Sequence, residues 1–167
     1  MPARLAGVEG TRVKLELTVE LSRSMLNTEE AIQEAFNEAG CLTSAEALKY
    51  FDTDGSPIRI GGELWRTKGQ QPKAYQTPYG EVSIERHGYQ RSGGGKTYCP
   101  LEREARIVVT STPRFAKQVS SKLSYGSARE VQRELGDNHG RAVAVSYVQG
   151  VAEALASVVQ AKEESWS

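Results

Sequence analysis

No stretch of this 167-residue chain approaches the roughly 18 apolar residues of a membrane-spanning helix, so no membrane partner is expected. The opening "MPARLAGVEG" lacks the apolar core of a secretory signal. Cysteine is scarce: Cys41 and Cys99 lie in different segments, which excludes a disulfide framework and fits a reducing, cytoplasmic setting. Histidine is equally scarce, with only His87 and His139. A tetrahedral zinc site would need all four of these side chains, and no two stand at the short spacing that one loop supplies. Neither a metal nor another cofactor is therefore expected. Internal repeats and low-complexity segments are missing as well.

Two motifs fail on spacing. "RSGGGKTYCPL" (Arg91–Leu101) ends its glycines in Lys-Thr like a phosphate-binding loop, but Gln90 stands where the first glycine of that motif belongs. Pro100 also interrupts any helix starting at Lys96, and phosphate loops depend on such a helix. The stretch reads as a glycine turn between strands. "DTDG" (Asp52–Gly55) opens like a calcium loop, with Glu63 at its twelfth position. Its sixth position is Pro57 where a sharp turn needs glycine, so it reads as a plain turn.

What the chain does have is charge, unevenly placed. Hydrophobic residues make up 38% and charged residues 25%, with a mean hydropathy of −0.50, which describes a polar chain with a modest core. The net charge of zero conceals a basic middle. Residues 59–133 hold 14 Lys/Arg against 6 Asp/Glu, while residues 1–58 hold 5 against 10 and residues 134–167 hold 2 against 5. A concentrated positive region is the electrostatic footprint of a nucleic-acid binder.

Patterning divides the chain into three parts. Residues 1–56 hold a strand, with Val13, Leu15, Leu17, Val19 and Leu21 alternating, and then a helix pair over Glu29–Phe51. Asn27 and Thr43 are the expected caps of that pair, and Gly40 the expected break. Residues 57–111 are a small antiparallel β region in which "PIRIGGELWRTK", "PKAYQT", "GEVSIERHGYQR" and "KTYCPL" read as short strands, with "TPYG" a turn. Residues 112–167 are helical. Thr112 and Pro113 open a helix carrying Phe115, Val119 and Leu123, and Ser127 caps a second with Glu130 at its third position. After the break "GDNHG", a third helix carries Val148, Val151, Leu155 and Val158 or Val159 on one stripe. The fold class is α+β, ending in a helix-turn-helix-like bundle directly after the most basic stretch.

The β region interleaves cations with aromatics: Trp65, Arg66, Lys68, Lys73, Tyr75, Tyr79, Arg86, His87, Tyr89, Arg91, Lys96 and Tyr98. Arginine and lysine bind phosphates, and tyrosine bonds the backbone or stacks on bases. Arg86, Arg91 and Lys96 are the expected phosphate contacts. For the helices, the first residues after the turn are those that meet a major groove. Tyr147, Gln149 and Gly150 should then lie nearest the bases, with Arg141 and His139 at the DNA backbone and Ser146 as N-cap. No residue set is marked as catalytic.

Three stretches together carry a resemblance: "YGEVSIERHGYQRSGGGKTYCPLERE", "TPRFAKQVSSKLSYGSAREVQREL" and "NHGRAVAVSYVQGVAEAL". From about Ala47 to Trp166 the chain resembles the N-terminal half of insertion-sequence transposases of the Kra group. The matching positions are Gly80, Val82, Arg86 and Tyr89, then Pro100, Leu101 and Glu102, then Asn138, His139, Gly140 and Arg141. The resemblance implies binding of double-stranded DNA at transposon ends by a non-catalytic part. The metal-dependent, RNase-H-like domain of such enzymes would follow beyond Ser167, in a longer protein or lost from a truncated one. Some relatives carry cysteine pairs in the β hairpin. Here Cys99 stands alone, so no metal carries over. Two other functions fit the patterning: an interaction module whose last helix pairs two copies of the chain, and RNA binding by the tyrosine-rich sheet.

Overall fold

The computed structural model describes the backbone of residues 1–166 and the side chains of residues 1–157. The alternating run near the N-terminus forms one arm of a hairpin. β1 (Ala3–Glu9) pairs antiparallel with β2 (Arg12–Leu17), Ala3 opposite Leu17 and Glu9 opposite Arg12. β2 ends at Leu17, so Val19 and Leu21 lie past the strand, and Leu21 is 80% exposed.

The hairpin rests on α1 (Met25–Lys49), which corrects the expected helix pair to one 25-residue helix. Its cap is Ser24, whose hydroxyl accepts from the backbone N–H of Asn27 at 3.3 Å. Thr43, the expected second cap, lies inside the helix and donates its hydroxyl to the Ala39 carbonyl at 2.9 Å. Gly40 is there for close approach, since a Cβ at this position would fall 2.2–2.6 Å from Tyr79 side-chain atoms. Glycine inside a helix costs about 1 kcal/mol relative to alanine. Burial of Ala35, Ala39 and Leu48 around it offsets that cost, so the helix continues.

β3 (Ile58–Ile60), β4 (Glu63–Gln76) and β5 (Glu81–Arg91) form an antiparallel sheet in that order. Gly61 and Gly62, with φ of 58° and 83°, make the two-residue β3–β4 turn, which demands left-handed backbone at both positions. The Thr77–Gly80 turn joins β4 to β5, and the Thr77 hydroxyl donates to the Gly80 carbonyl at 2.8 Å. Tyr75, Val82 and Ile84 cover Leu48 of α1 and meet Leu101 and Ala105 at α2 (Pro100–Glu104). "KTYCPL" is therefore not a strand. Only Tyr98 pairs, exchanging backbone bonds of 2.7 and 2.8 Å with Tyr89 across the glycine loop, and Pro100 starts α2 because its fixed φ suits a first turn. Asp52, from the discounted calcium loop, instead accepts from the backbone N–H of His87 at 3.1 Å.

Three helices complete the chain: α3 (Pro113–Leu123), α4 (Ala128–His139) and α5 (Val145–Trp166). Phe115, Ala116, Val119, Val131, Leu135, Val148 and Val151 form their common core. Ser127 caps α4, its hydroxyl accepting from the Glu130 N–H at 3.2 Å. α4 runs through Gly136 and ends only at Gly140, where φ is 62°. α5 begins at Val145, so Ser146 lies in its first turn rather than capping it. The side chains of Val158 and Val159, expected on the apolar stripe, lie outside the described residues. Sheet and helices are joined where Gln76 N–H donates to Thr110 O at 2.7 Å and Thr112 N–H donates to Gln76 O at 2.9 Å. The described residues thus form an α+β fold with five helices and two small antiparallel sheets. Among the described residues, no helix is long and apolar enough to cross a membrane.

Candidate nucleic-acid interface

The turn between α4 and α5 is held from three sides. Arg141 N–H donates to the Leu135 carbonyl at 2.8 Å, which closes the end of α4. Asn37 of α1 donates to the His139 carbonyl at 3.0 Å. Gln132 donates to the Val143 carbonyl at 2.9 Å. α5 then starts with a fixed rotation: Val148 and Val151 are buried, Tyr147 is half-buried, and Ser146 and Gln149 face solvent. No atom lies within 4 Å of where a Gly150 Cβ would stand.

This rotation separates the residues expected at the DNA. Gln149 is exposed at the start of α5. Tyr147 turns inward instead. Its ring stacks on Phe115 with centroids 6.5 Å apart, and its hydroxyl accepts from Thr110 at 3.0 Å. Arg141, expected at the DNA backbone, is only 6% exposed. Its Nε donates to the Thr77 carbonyl at 3.0 Å, another N–H reaches the Gln76 side chain, and the guanidinium lies 5.3 Å from the Phe115 ring centroid. Burial holds its pKa below the ordinary arginine value. His139 is half-buried, its ring facing Lys122.

The basic sheet divides in the same way. Arg86 is internal, because period-2 alternation puts it on the face of Val82 and Ile84. Its Nε donates to the Tyr75 hydroxyl at 2.9 Å, and Tyr75 donates to Glu102 Oε1 at 2.7 Å. Lys73 Nζ sits 3.0 Å from the same carboxylate oxygen. Burial, with the Glu102 bond second, pushes the Tyr75 phenol up. For Glu102, burial acts upward, but hydrogen bonds from Tyr75 and Lys73 and the nearby charges of Lys73 and Arg86 hold it below its ordinary value. The network ties α2 to the sheet. Arg91 and Lys96, by contrast, are exposed. Arg91 pairs with exposed Glu63 at 3.4 Å, and Lys96 has no carboxylate partner among the described residues.

Two further exposed cations are not among the expected contacts. Arg114 and Lys117 stand exposed on α3, flanking buried Phe115, Ala116 and Val119. Neither has a carboxylate partner among the described residues. The stripe Phe115–Val119–Leu123 could have located them, since it sends Arg114 and Lys117 away from the core. No family model matches this chain, and no curated protein matches it either.

Proposed function

We propose that this protein binds double-stranded DNA through α3–α5, as the end-recognition part of a transposase of the kind its sequence resembles. The observation that carries the proposal is the sorting of side chains at the start of α5. Tyr147, Val148 and Val151 fix the helix to α3 and α4, and this presents Ser146 and Gln149 outward just after a left-handed glycine turn. A helix-turn-helix unit works this way, its second helix rigidly aimed so that its first outward residues reach base edges. Arg114 and Lys117 supply phosphate contacts from α3, and Arg91 and Lys96 extend the positive surface onto the sheet. Arg141, Tyr147 and Arg86 serve the same function indirectly, by holding the units that make contact.

Titration of the chain with duplex DNA over a series of salt concentrations tests the proposal. The expected result is a logarithmic affinity that falls linearly with the logarithm of salt, the slope shrinking by about one unit for each phosphate contact removed in Arg114→Ala and Lys117→Ala. Affinity and slope unchanged in the folded double variant would overturn it.

A further inference from the structure

One end of the β3–β4–β5 sheet carries an aromatic cluster around Arg91 for which the duplex interface, using only the charge of Arg91, has no role. The strand register sets Trp65 of β4 directly opposite Arg91 of β5. The Arg91 guanidinium lies 5.8 Å from the centroid of the Trp65 ring, and Tyr98 presents an edge to that ring at 6.0 Å and 67°. The indole N–H of Trp65 is buried without an acceptor among the described residues, which is uncommon for a tryptophan donor. Arg91 also borders a cavity of about 460 Å³ that Glu63, Leu64, Ser92, Gly93 and Gly94 complete. Gly94 and Gly95 hold φ of 86° and 102°, so the loop turns between Arg91 and Lys96 with three consecutive residues that carry no side chain.

We infer that Trp65, Arg91 and Tyr98 form a stacking shelf for one unpaired DNA base, with Lys96 on the adjoining phosphate. The inference rests on the DNA-binding reading and gives this end of the sheet its own ligand. An indole flanked by a guanidinium and a phenol offers the groups on which single-stranded bases stack, because every base offers a π-face whatever its sequence. Arg91 is restrained by one exposed ion pair to Glu63, a weak tether, so it can tilt to admit a base and cover its far face. The glycine loop leaves room for the sugar. Paired bases in a duplex keep both faces stacked on neighbours, so the ligand is an unpaired base, such as one at a strand end or opened step.

The chain holds two tryptophans, so Trp166→Phe leaves Trp65 as the only indole reporter. The full-length Trp166→Phe protein is titrated with oligothymidine, with a blunt duplex and with oligouridine, while indole fluorescence is followed. Saturable quenching by oligothymidine, stronger than by the duplex, is expected. By anisotropy of dye-labelled oligothymidine, which needs no indole, Trp65→Ala and Arg91→Ala should each weaken binding by about 10-fold, whereas Trp65→Phe, which keeps a stacking ring and the packing, retains most of it. Gln149→Ala should leave the quenching curve unchanged. Absence of quenching, equal quenching by the duplex, tighter binding of oligouridine, or unaltered affinity in folded Arg91→Ala would each overturn the shelf. Duplex affinity of the same proteins separates the two readings. Quenching without duplex binding removes end recognition alone, and duplex binding without quenching removes the shelf alone.

Discussion

The Nε–H of Arg141 donates to the carbonyl oxygen of Thr77 at 3.0 Å, and this bond pins the turn before α5 to the turn between β4 and β5. The guanidinium is buried, so its charge is compensated by the Thr77 carbonyl, the Gln76 side chain and the face of Phe115. Removing it leaves a buried carbonyl without its donor, a loss of about 1–3 kcal/mol. Arg141→Ala should lower the urea midpoint accordingly. Arg141→Lys should fall between, because one ammonium cannot span both acceptors in the fork geometry of arginine. Unchanged stability with lost DNA affinity would instead place Arg141 on the DNA.

Gly40 and Tyr79 give a second test of packing. The atoms that a Cβ at residue 40 would meet include Cβ and Cγ of Tyr79, the base of that side chain, so rotating the ring does not relieve the clash. Gly40→Ala should destabilise the protein by about 1–3 kcal/mol, although alanine is the better helix former by about 1 kcal/mol. Tyr79→Ala in the same chain should recover much of the loss. A double-mutant cycle by urea denaturation measures the coupling, and a stabilising Gly40→Ala would show the approach to be loose.

His139 couples this region to pH. Burial, with the charge of Lys122 second, lowers its pKa below the ordinary imidazole value. These outweigh the end of α4, whose carbonyls favour a cation. Lys122 Nζ stands 3.2 Å from Nε2 and can donate to it only while that nitrogen is unprotonated. The unfolded chain then binds the proton more readily than the folded one. Stability from the neutral ring is fully present above about pH 6.5 and is lost as pH falls through the lowered folded pKa. Urea midpoints should drop as pH falls below about 6.5, and His139→Gln should flatten that drop. Glu102, also held below its ordinary value, adds a loss of the same sign only at more acidic pH.

The order of elements was legible wherever local chemistry decided it. Ser127 and Glu130, Thr112 and Pro113, and the Thr77–Gly80 turn each carry their signal in a few adjacent residues, and the structure follows them. Reading failed where a distant partner decided the outcome. Gly40 looks like a helix end until Tyr79 is placed against it, and Gly136 until α4 is seen to continue to Gly140. Among the candidate site residues, alternation with Val82 and Ile84 already marked Arg86 as inward-facing. Nothing near Arg141 in sequence foretells its bond to Thr77, and nothing near Trp65 foretells Arg91 across the sheet.

That difference between Arg86 and its neighbours is measurable. Arg86→Ala removes a donor from Tyr75 and a charge from Glu102, so it should lower stability and leave the salt slope of DNA binding unchanged. The double variant Arg91→Ala, Lys96→Ala should keep the urea midpoint within about 0.5 kcal/mol of the parent and flatten the salt slope by up to about two units. The reverse pattern would make Arg86 the DNA contact.

On the proposed reading, Gln149 is the residue that reads sequence. It leaves α5 on the solvent side one position after buried Val148, on a helix whose rotation Val148 and Val151 fix in the core. A glutamine amide can donate to N7 and accept from N6 of adenine at once, a pairing worth about 1–3 kcal/mol of discrimination against other bases. Gly150 beside it leaves open space at its Cα, so the helix can approach a groove wall closely. Sequences selected from random DNA by the parent protein should therefore show an adenine preference at one position. Gln149→Ala should relax that position alone, while overall affinity, set by phosphates, falls far less. If both proteins select the same sequences, α5 does not read bases through Gln149, and specificity must come from DNA shape or from another element.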